Sequence, residues 1–516
     1  MPLRLVFLIR DLSPGGAQRQ LVALAAGLAK GADFAVTVLH FYPGPFEEDL
    51  KRAGVDTVCI GKRHRWDLCG FLLRLRRALL AARPAVIYSF LNEANLMAIL
   101  LKPLCGRPKV VWGVRDSRTD ADQWGVLGKL SFRLNVWLAR LADLIIANSQ
   151  AGRDYYKELG YPAVRMEVVS NGIDVERFAP ANGEELRKEW GGEGQMLVGI
   201  IGRLNPMKDH RTFIQAAALA GKARADLRFL IVGEGDAGYR AELLAFAEKV
   251  GIADRITWSG ARRDMRAVYA ALDVVVSTSS FGEGLSNVLA EAMACARPCV
   301  ATDVGDSAWL LNDREWVCRA GDAGAVAQCV LTLARMRPEQ RAEIGARSRR
   351  QIVEHLGVQR MIDRTGELLS GVVPAKRITF ITTGLGTGGA EMMLWQILTQ
   401  LDRRRFELAV ISLTGGGKYA DLLKAKGIPV ESLDLSPGSV SLAGLAKLFR
   451  CIRRQRPETL VGWMYHGCVA ASLAKFFQWR QVTMLWSIRQ SLYSLELEKP
   501  GSARVIRVLA WLSWLP

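Results

Sequence analysis

The chain has 516 residues, half of them hydrophobic and 23% charged, with nine cysteines and a formal net charge of +18. That length exceeds what one hydrophobic core organises and implies about three domains, and the composition excludes a disordered chain. No apolar run reaches the roughly 18 residues of a membrane span. The cysteines, odd in number and without a CxxC pair, exclude a disulfide framework and fit a reducing cytoplasm.

The N-terminal run Leu5–Ile9 lies between Arg4 and Arg10 with no small-residue cleavage site after it, and reads as a first β-strand rather than a signal peptide. AQRQLVALAAGLA (17–29) then has helical spacing and FAVTVLHF (34–41) is a second strand. This alternation continues along the chain and predicts parallel-sheet α/β domains. The stretches 71–83 (FLLRLRRALLAAR) and 445–456 (LAKLFRCIRRQR) are basic and amphipathic. They fit surface helices packed on a sheet by their Leu/Phe face, and equally contact with an anionic membrane. The charge is +6 over residues 1–185, +2 over 186–370 and +10 over 371–516. No zinc-finger, helix-turn-helix or RNA-binding signature accompanies it, so nucleic acid is not an expected partner. The five histidines show no metal-ligand spacing, and no metal or cofactor is expected.

Gly, Pro and Asn concentrate in NGIDVERFAPANGEE (171–185), which predicts a linker closing a first domain at 1–185. A second domain runs over 190–370 from the strand QMLVGIIGRL (195–204). A helix at about 355–369 is assignable to either lobe, and GVVPAKR (371–377) is the next linker. Beyond it the chain repeats itself. LVFLIRDLSPGGAQRQL (5–21) matches ITFITTGLGTGGAEMML (378–394) at an offset of 373, RPAVIYSF (83–90) matches RPETLVGW (456–463) at the same offset, and VVWGVRDS (110–117) matches MLWSIRQS (484–491) at 374. Residues 377–516 are therefore read as a partial repeat of the first domain, stopping before any counterpart of ADLIIANS (142–149). The expectation is that this copy docks on the rest of the chain or belongs to a longer reading frame. The expected fold is α/β, two Rossmann-like doubly wound domains followed by a truncated third.

Chemistry concentrates in the second domain. SFGEGLSNVLAEAMACARPCVATDVGDSAWL (280–310) sets Glu283 and Glu291 eight positions apart around a predicted helix start, with Gly284, Leu285 and Ser286 between them. One carboxylate belongs in the loop and the other two turns down the helix. The free N–H groups of that helix end suit a phosphate. GRLNPMKDH (202–210) follows a strand: Gly202 allows close backbone approach, and Arg203 and Lys208 bring two cations suited to a diphosphate. Ligands of open α/β sheets gather at such strand ends. GLGTGG (384–389) and GEGDAG (233–238) satisfy GxGxxG but lack the acidic residue a dinucleotide site needs at the next strand end, so an NAD site is not expected. GxSxG and Walker patterns are absent. Asp116, Asp303 and Asp306 read as loop or cap residues.

The ordered set GGA (15–17), NGID (171–174), GRLNPMK (202–208), VGEG (232–235), EGLSNVLAEAMA (283–294) and ATDVG (301–305) resembles the retaining GT-B glycosyltransferases of family four over residues 1 to about 370. The resemblance implies a nucleotide-sugar donor with a UDP or GDP base, and a lipid-linked or surface-polysaccharide acceptor. It implies that Arg203 and Lys208 hold the donor diphosphate, Glu291 grips the ribose, Glu283 lies near the donor sugar, the Gly284–Ser286 backbone meets the β-phosphate, and Gly16 faces it from the first domain. It also implies same-face attack assisted by the departing phosphate, without a protein nucleophile. Asn171 and Arg115 are acceptor-side candidates. Arg115 stands where many relatives place a histidine, so it could contact the transferred sugar or bind an acidic or phosphorylated acceptor. Ala296 stands where glycine is common, and reads as a packing detail. The enzyme is expected to be cytoplasmic and peripheral to the membrane. An epimerase or phosphorylase on the same fold and a non-catalytic scaffold remain as alternatives.

Overall fold

The computed structural model describes residues 2–64, 67–117, 126–403, 405–436, 441–476, 482–488 and 505–510. Three parallel sheets carry the chain, and two units divide it, residues 1–372 and 373–516. The first unit holds two sheets. In the first, β1 (Leu3–Asp11), β2 (Phe34–Tyr42), β3 (Asp56–Cys59), β4 (Val86–Phe90), β5 (Lys109–Val114), β6 (Leu144–Ala147) and β7 (Met166–Val168) lie in the order β3-β2-β1-β4-β5-β6-β7. In the second, β8 (Met196–Ile201), β9 (Leu227–Val232), β10 (Ile256–Gly260), β11 (Val274–Ser277), β12 (Cys299–Thr302) and β13 (Val317–Cys318) take the order β10-β9-β8-β11-β12-β13. The strands are near-continuous apolar runs because helices cover both faces; Leu5–Ile9 and Val274–Val276 are fully buried.

Both sheets reverse their strand order beside their first strand, β1 against β4 and β8 against β11. These are the switch points at which α/β folds open a crevice. The loops after β1, β5, β8 and β11 carry Gly16, Arg115, Gly202 to Lys208, and Glu283 to Ser286.

The segment after β7 packs with the second sheet: Ile173, Phe178, Leu186 and Trp190 join its core. The helix Glu184–Glu189 covers the interval between the two expected domains. The chain then returns. The helix Val358–Gly371, assignable to either lobe from sequence, packs on the first-lobe helix Gly16–Lys30, where Gly27 leaves room for Ile362. The guanidinium of Arg349 secures the crossing by donating to the carbonyls of Phe178, Val175 and Ala294. The two basic stretches are surface helices as read: Leu68–Ala82 buries Phe71, Leu75 and Leu79, and Leu442–Gln455 buries Leu448 and Ile452.

The second unit has one sheet, β14 (Lys376–Thr382), β15 (Phe406–Ser412), β16 (Val430–Ser432), β17 (Thr459–Trp463) and β18 (Thr483–Ser487), ordered β16-β15-β14-β17-β18. Its central register pairs Ile378 with Thr459 as the first sheet pairs Leu5 with Val86. Unusual backbone angles recur at the offset of 373: Gly54 and Gly427 at φ 74° and 72°, Arg83 and Arg456 at 45° and 47°, Leu91 and Met464 at 72° and 63°. Arg489, which the sequence offset aligns with Arg115, and the final WLSWLP lie outside the described residues.

Candidate active site

The site is built where the loops after β8 and β11 meet. Gly202 follows β8 with φ 158°, and Lys208 folds back so closely that a Cβ on Gly202 would stand 3.4 Å from its side chain. Asn205 fixes this turn by accepting the Lys208 N–H. The Thr278 hydroxyl, just past β11, donates to the carbonyls of Lys208 and Asp209 at 3.1 and 2.9 Å and ties the two loops together. Lys208 Nζ then reaches both oxygens of Glu283, at 2.9 and 2.7 Å. Burial works to raise the Glu283 pKa, but Lys208 and hydrogen bonds from Ser286 and Ser279 outweigh it, so the carboxyl lies below its ordinary range.

Ser286 caps the helix Asn287–Ala294, its hydroxyl accepting the Leu289 N–H. Just over one turn in, Glu291 is buried, accepts the Tyr269 hydroxyl at 2.9 Å and pairs with Arg19 Nη1 at 2.9 Å. Burial holds its pKa above the ordinary value, with Arg19 offsetting that only in part. Tyr269 is raised by its own burial and by the adjacent carboxylate. Arg19 comes from the opposite lobe, on the helix Gly16–Lys30.

The two lobes meet around this helix start. Gly16 lies so near Asn287 that an added Cβ would be 2.9 Å from its Nδ2. Asn171 Nδ2 donates to Asn287 Oδ1 at 2.9 Å and to the Leu285 carbonyl at 3.4 Å. Gln20 Nε2 reaches Asn287 Oδ1 at 3.3 Å, while Gln20 also exchanges hydrogen bonds with the Gly172 backbone. Gly284 faces Asn148 and Ser149 with no room for a side chain, and the Ser117 hydroxyl donates to the Glu283 carbonyl. Asp306 accepts the N–H groups of Gln150 and Ala151 at 2.7 and 2.9 Å, capping a helix of the facing lobe. The other two aspartates are occupied locally, Asp116 by the Tyr156 hydroxyl and Asp303 by Arg314.

Glu283, Gly284, Leu285 and Ser286 lie in the loop before the helix, and Glu291 lies just over one turn into it rather than the two turns expected, because the helix starts only at Asn287. Gly202 and Lys208 join them, and Gly16 and Asn171 meet them across the cleft. Arg115 reaches this group only through Asn171, by a long 3.4 Å contact. Arg203 stands apart from Lys208's pairing: it is exposed and has no ion pair among the described residues. Arg19, Gln20, Tyr269 and Asn287 escaped the sequence reading. For Arg19 and Gln20 the signal was present, since GGAQRQ places them on the first turn of the helix opened by Gly16.

Family models match both lobes: residues 14–177 match Glycosyltransferase Family 4 and residues 195–336 match Glycosyl transferases group 1. A D-inositol 3-phosphate glycosyltransferase of Segniliparus rotundus is 32% identical over 171 residues, covering 32% of this chain and 38% of that protein. A GDP-mannose-dependent alpha-mannosyltransferase of Mycobacterium tuberculosis is 33% identical over 171 residues, covering 33% and 41%. The chain thus spans about two fifths of the length of these curated relatives. Among solved structures, Anabaena HepE in complex with UDP and glucose superposes with a TM-score of 0.64 at 24% identity, over 71% of this chain and 99% of that one. Within residues 1–372 the chain therefore carries a family 4 glycosyltransferase domain followed by a group 1 glycosyltransferase domain, on the GT-B fold.

Proposed function

We propose that residues 1–372 transfer a sugar from a UDP- or GDP-sugar to a lipid-linked or surface-polysaccharide acceptor, with retention of anomeric configuration. The observation that carries this reading is the Lys208–Glu283 pair set against the start of the helix Asn287–Ala294, facing Gly16. Breaking a sugar–phosphate bond leaves negative charge on the diphosphate, and cations with a helix N-terminus are what such a leaving group needs. Lys208 supplies one cation in place, Glu283 aims it, and exposed Arg203 is free to close on a phosphate from the side. With these groups in the role of a divalent metal, transfer proceeds without added metal and resists chelators. Glu291, accepting from Tyr269, offers a carboxylate to ribose hydroxyls once Arg19 yields. Because the departing diphosphate assists same-face attack, no protein nucleophile is required.

The test compares Lys208→Ala and Glu291→Ala with wild type, using a panel of UDP-, GDP- and ADP-sugars. Lys208→Ala is expected to lower kcat about 10²–10³-fold, the scale of losing one charged group at a transition state. Glu291→Ala is expected to raise KM for the donor. Wild-type transfer by both variants overturns the assignment. Conversion of the donor with no acceptor present would favour an epimerase or phosphorylase instead.

Two further readings attach to it. The first lobe docks on an anionic membrane, supported by the outward apolar and basic face of the helix Val126–Leu138. No helix among the described residues is long and apolar enough to cross a membrane. Residues 377–516 are a partial second copy of the first domain, supported by the sequence offset, the shared strand order and the recurring backbone angles.

A further inference from the structure

We propose that Arg115 is the recognition site for a carboxylate or phosphate group carried by a substrate in the interlobe cleft, and so selects a charged sugar or acceptor over a neutral one. This rests on the sugar-nucleotide reading of residues 1–372 given above.

Arg115 follows β5, one strand beyond the β1–β4 switch point, and its guanidinium is held in one orientation by groups that bear no charge. It stacks over the Phe90 ring at 4.3 Å to the centroid, Nη2 donates to the Tyr88 hydroxyl at 2.9 Å, and Nη1 reaches Asn171 Oδ1 at 3.4 Å. Its Nε is buried without a partner. Tyr88, Phe90 and Asn171 are themselves buried, so this is a fixed cradle. Gly113 keeps the cradle open beneath the arginine, since a Cβ there would stand 3.3 Å from the Tyr88 ring and 3.5 Å from Arg115 Nε.

No carboxylate pairs with Arg115 among the described residues. A half-buried cation with neutral neighbours is poorly compensated, and a planar fork with unused donors is the shape that carboxylate and phosphate fill. The location decides which anion. Asn171 joins the Arg115 fork to Asn287 and the Leu285 carbonyl, at the helix start assigned to the donor. An anion on Arg115 therefore belongs to the reacting partners: a uronate on the donor sugar or a phosphate on the acceptor.

The test uses the full chain and matched pairs, UDP-glucuronate against UDP-glucose, and glucose 6-phosphate against glucose in the presence of UDP, with affinities measured by calorimetry. Wild type is expected to prefer the anionic member of one pair by about tenfold or more, as charge-assisted hydrogen bonds to a fixed guanidinium imply. The first pair reports a donor carboxylate and the second an acceptor phosphate. Arg115→Gln is expected to bring the ratio near one, and Arg115→Lys to leave an intermediate ratio, since a point charge replaces the fork. Equal binding within both pairs by the wild type overturns the proposal whatever the variants do, as does a preference that survives in Arg115→Gln. Failure of the donor reading looks different: neither UDP nor GDP then raises the melting temperature, and the phosphate pair alone decides the role of Arg115.

Discussion

Ala296 holds a left-handed backbone, φ 56°, immediately past the helix that carries Glu291. The geometry is a Schellman closure: the Arg297 N–H bonds to the Ala292 carbonyl at 3.0 Å and the Ala296 N–H to that of Met293 at 2.9 Å. Such a position suits glycine, because a Cβ in this region costs about 1–2 kcal/mol. The difference from glycine noted in the sequence is therefore backbone strain rather than packing. The half-buried methyl offers little in return. Ala296→Gly is expected to stabilise the first unit by about 0.5–1 kcal/mol after the added freedom of the unfolded chain is subtracted. Urea unfolding of the two proteins checks this, and a lowered midpoint for the glycine variant would refute it. Lys208 and Glu283 were both legible as site residues, yet their pairing was not. They are 75 positions apart, and sequence does not disclose which strand ends come together. Arg19 was hidden for the same reason, since its partner Glu291 lies on the other lobe.

At the scale of elements, alternating strand and helix patterns were readable because parallel strands are buried on both faces and helices on one. The outward face of a helix is harder to read, since exposure depends on what the fold places beside it. The stretches singled out for their arginines turned out to bury their apolar stripe. The helix Val126–Leu138 buries Phe132 and Leu138 and also carries a second apolar row that faces outward. Leu130, Leu134 and Trp137, with Leu141 just beyond, are exposed on successive turns, Trp137 at 61%. Arg133 and Arg140 stand among them, and Arg140 stacks on the Trp137 ring at 4.6 Å. Aromatic and leucine side chains with interspersed arginines are the composition of an interfacial helix. The protein is expected to sediment with vesicles containing anionic lipid and not with purely zwitterionic ones. Trp137→Ala combined with Leu134→Ser should weaken that binding about tenfold, because each buried apolar side chain contributes roughly 1.5–3 kcal/mol when fully transferred and less at an interface. Undiminished sedimentation of the double variant would remove this helix from the membrane contact.

For the whole molecule, the question is whether the second unit takes part in the site. Residues 373–516 repeat the first sheet's order and central register, but not the residues that meet the donor lobe. At the offset of 373, Met392 and Met393, exposed at 45% and 42%, stand at the positions of Arg19 and Gln20. A methionine thioether cannot pair with a carboxylate as Arg19 does with Glu291, nor bridge to an amide as Gln20 does. Val461 likewise replaces Tyr88, whose hydroxyl holds Arg115. Residues 373–516 also contain no stretch matching GRLNPMK (202–208) or EGLSNVLAEAMA (283–294), which carry Lys208, Glu283 and Glu291. The first unit has two sheets and the second has one, each unit with its own buried clusters, so the first unit should fold when the second is removed. A chain ending at Val372 is expected to bind the preferred nucleotide with a Kd within about threefold of the full protein, a difference under 1 kcal/mol. Residues 373–516 alone are expected to bind none. Calorimetric titration of the three proteins decides the matter. If residues 1–372 melt cooperatively but bind tenfold more weakly than the full chain, the second unit contributes to the site and the division of labour drawn from Met392, Met393 and Val461 is wrong.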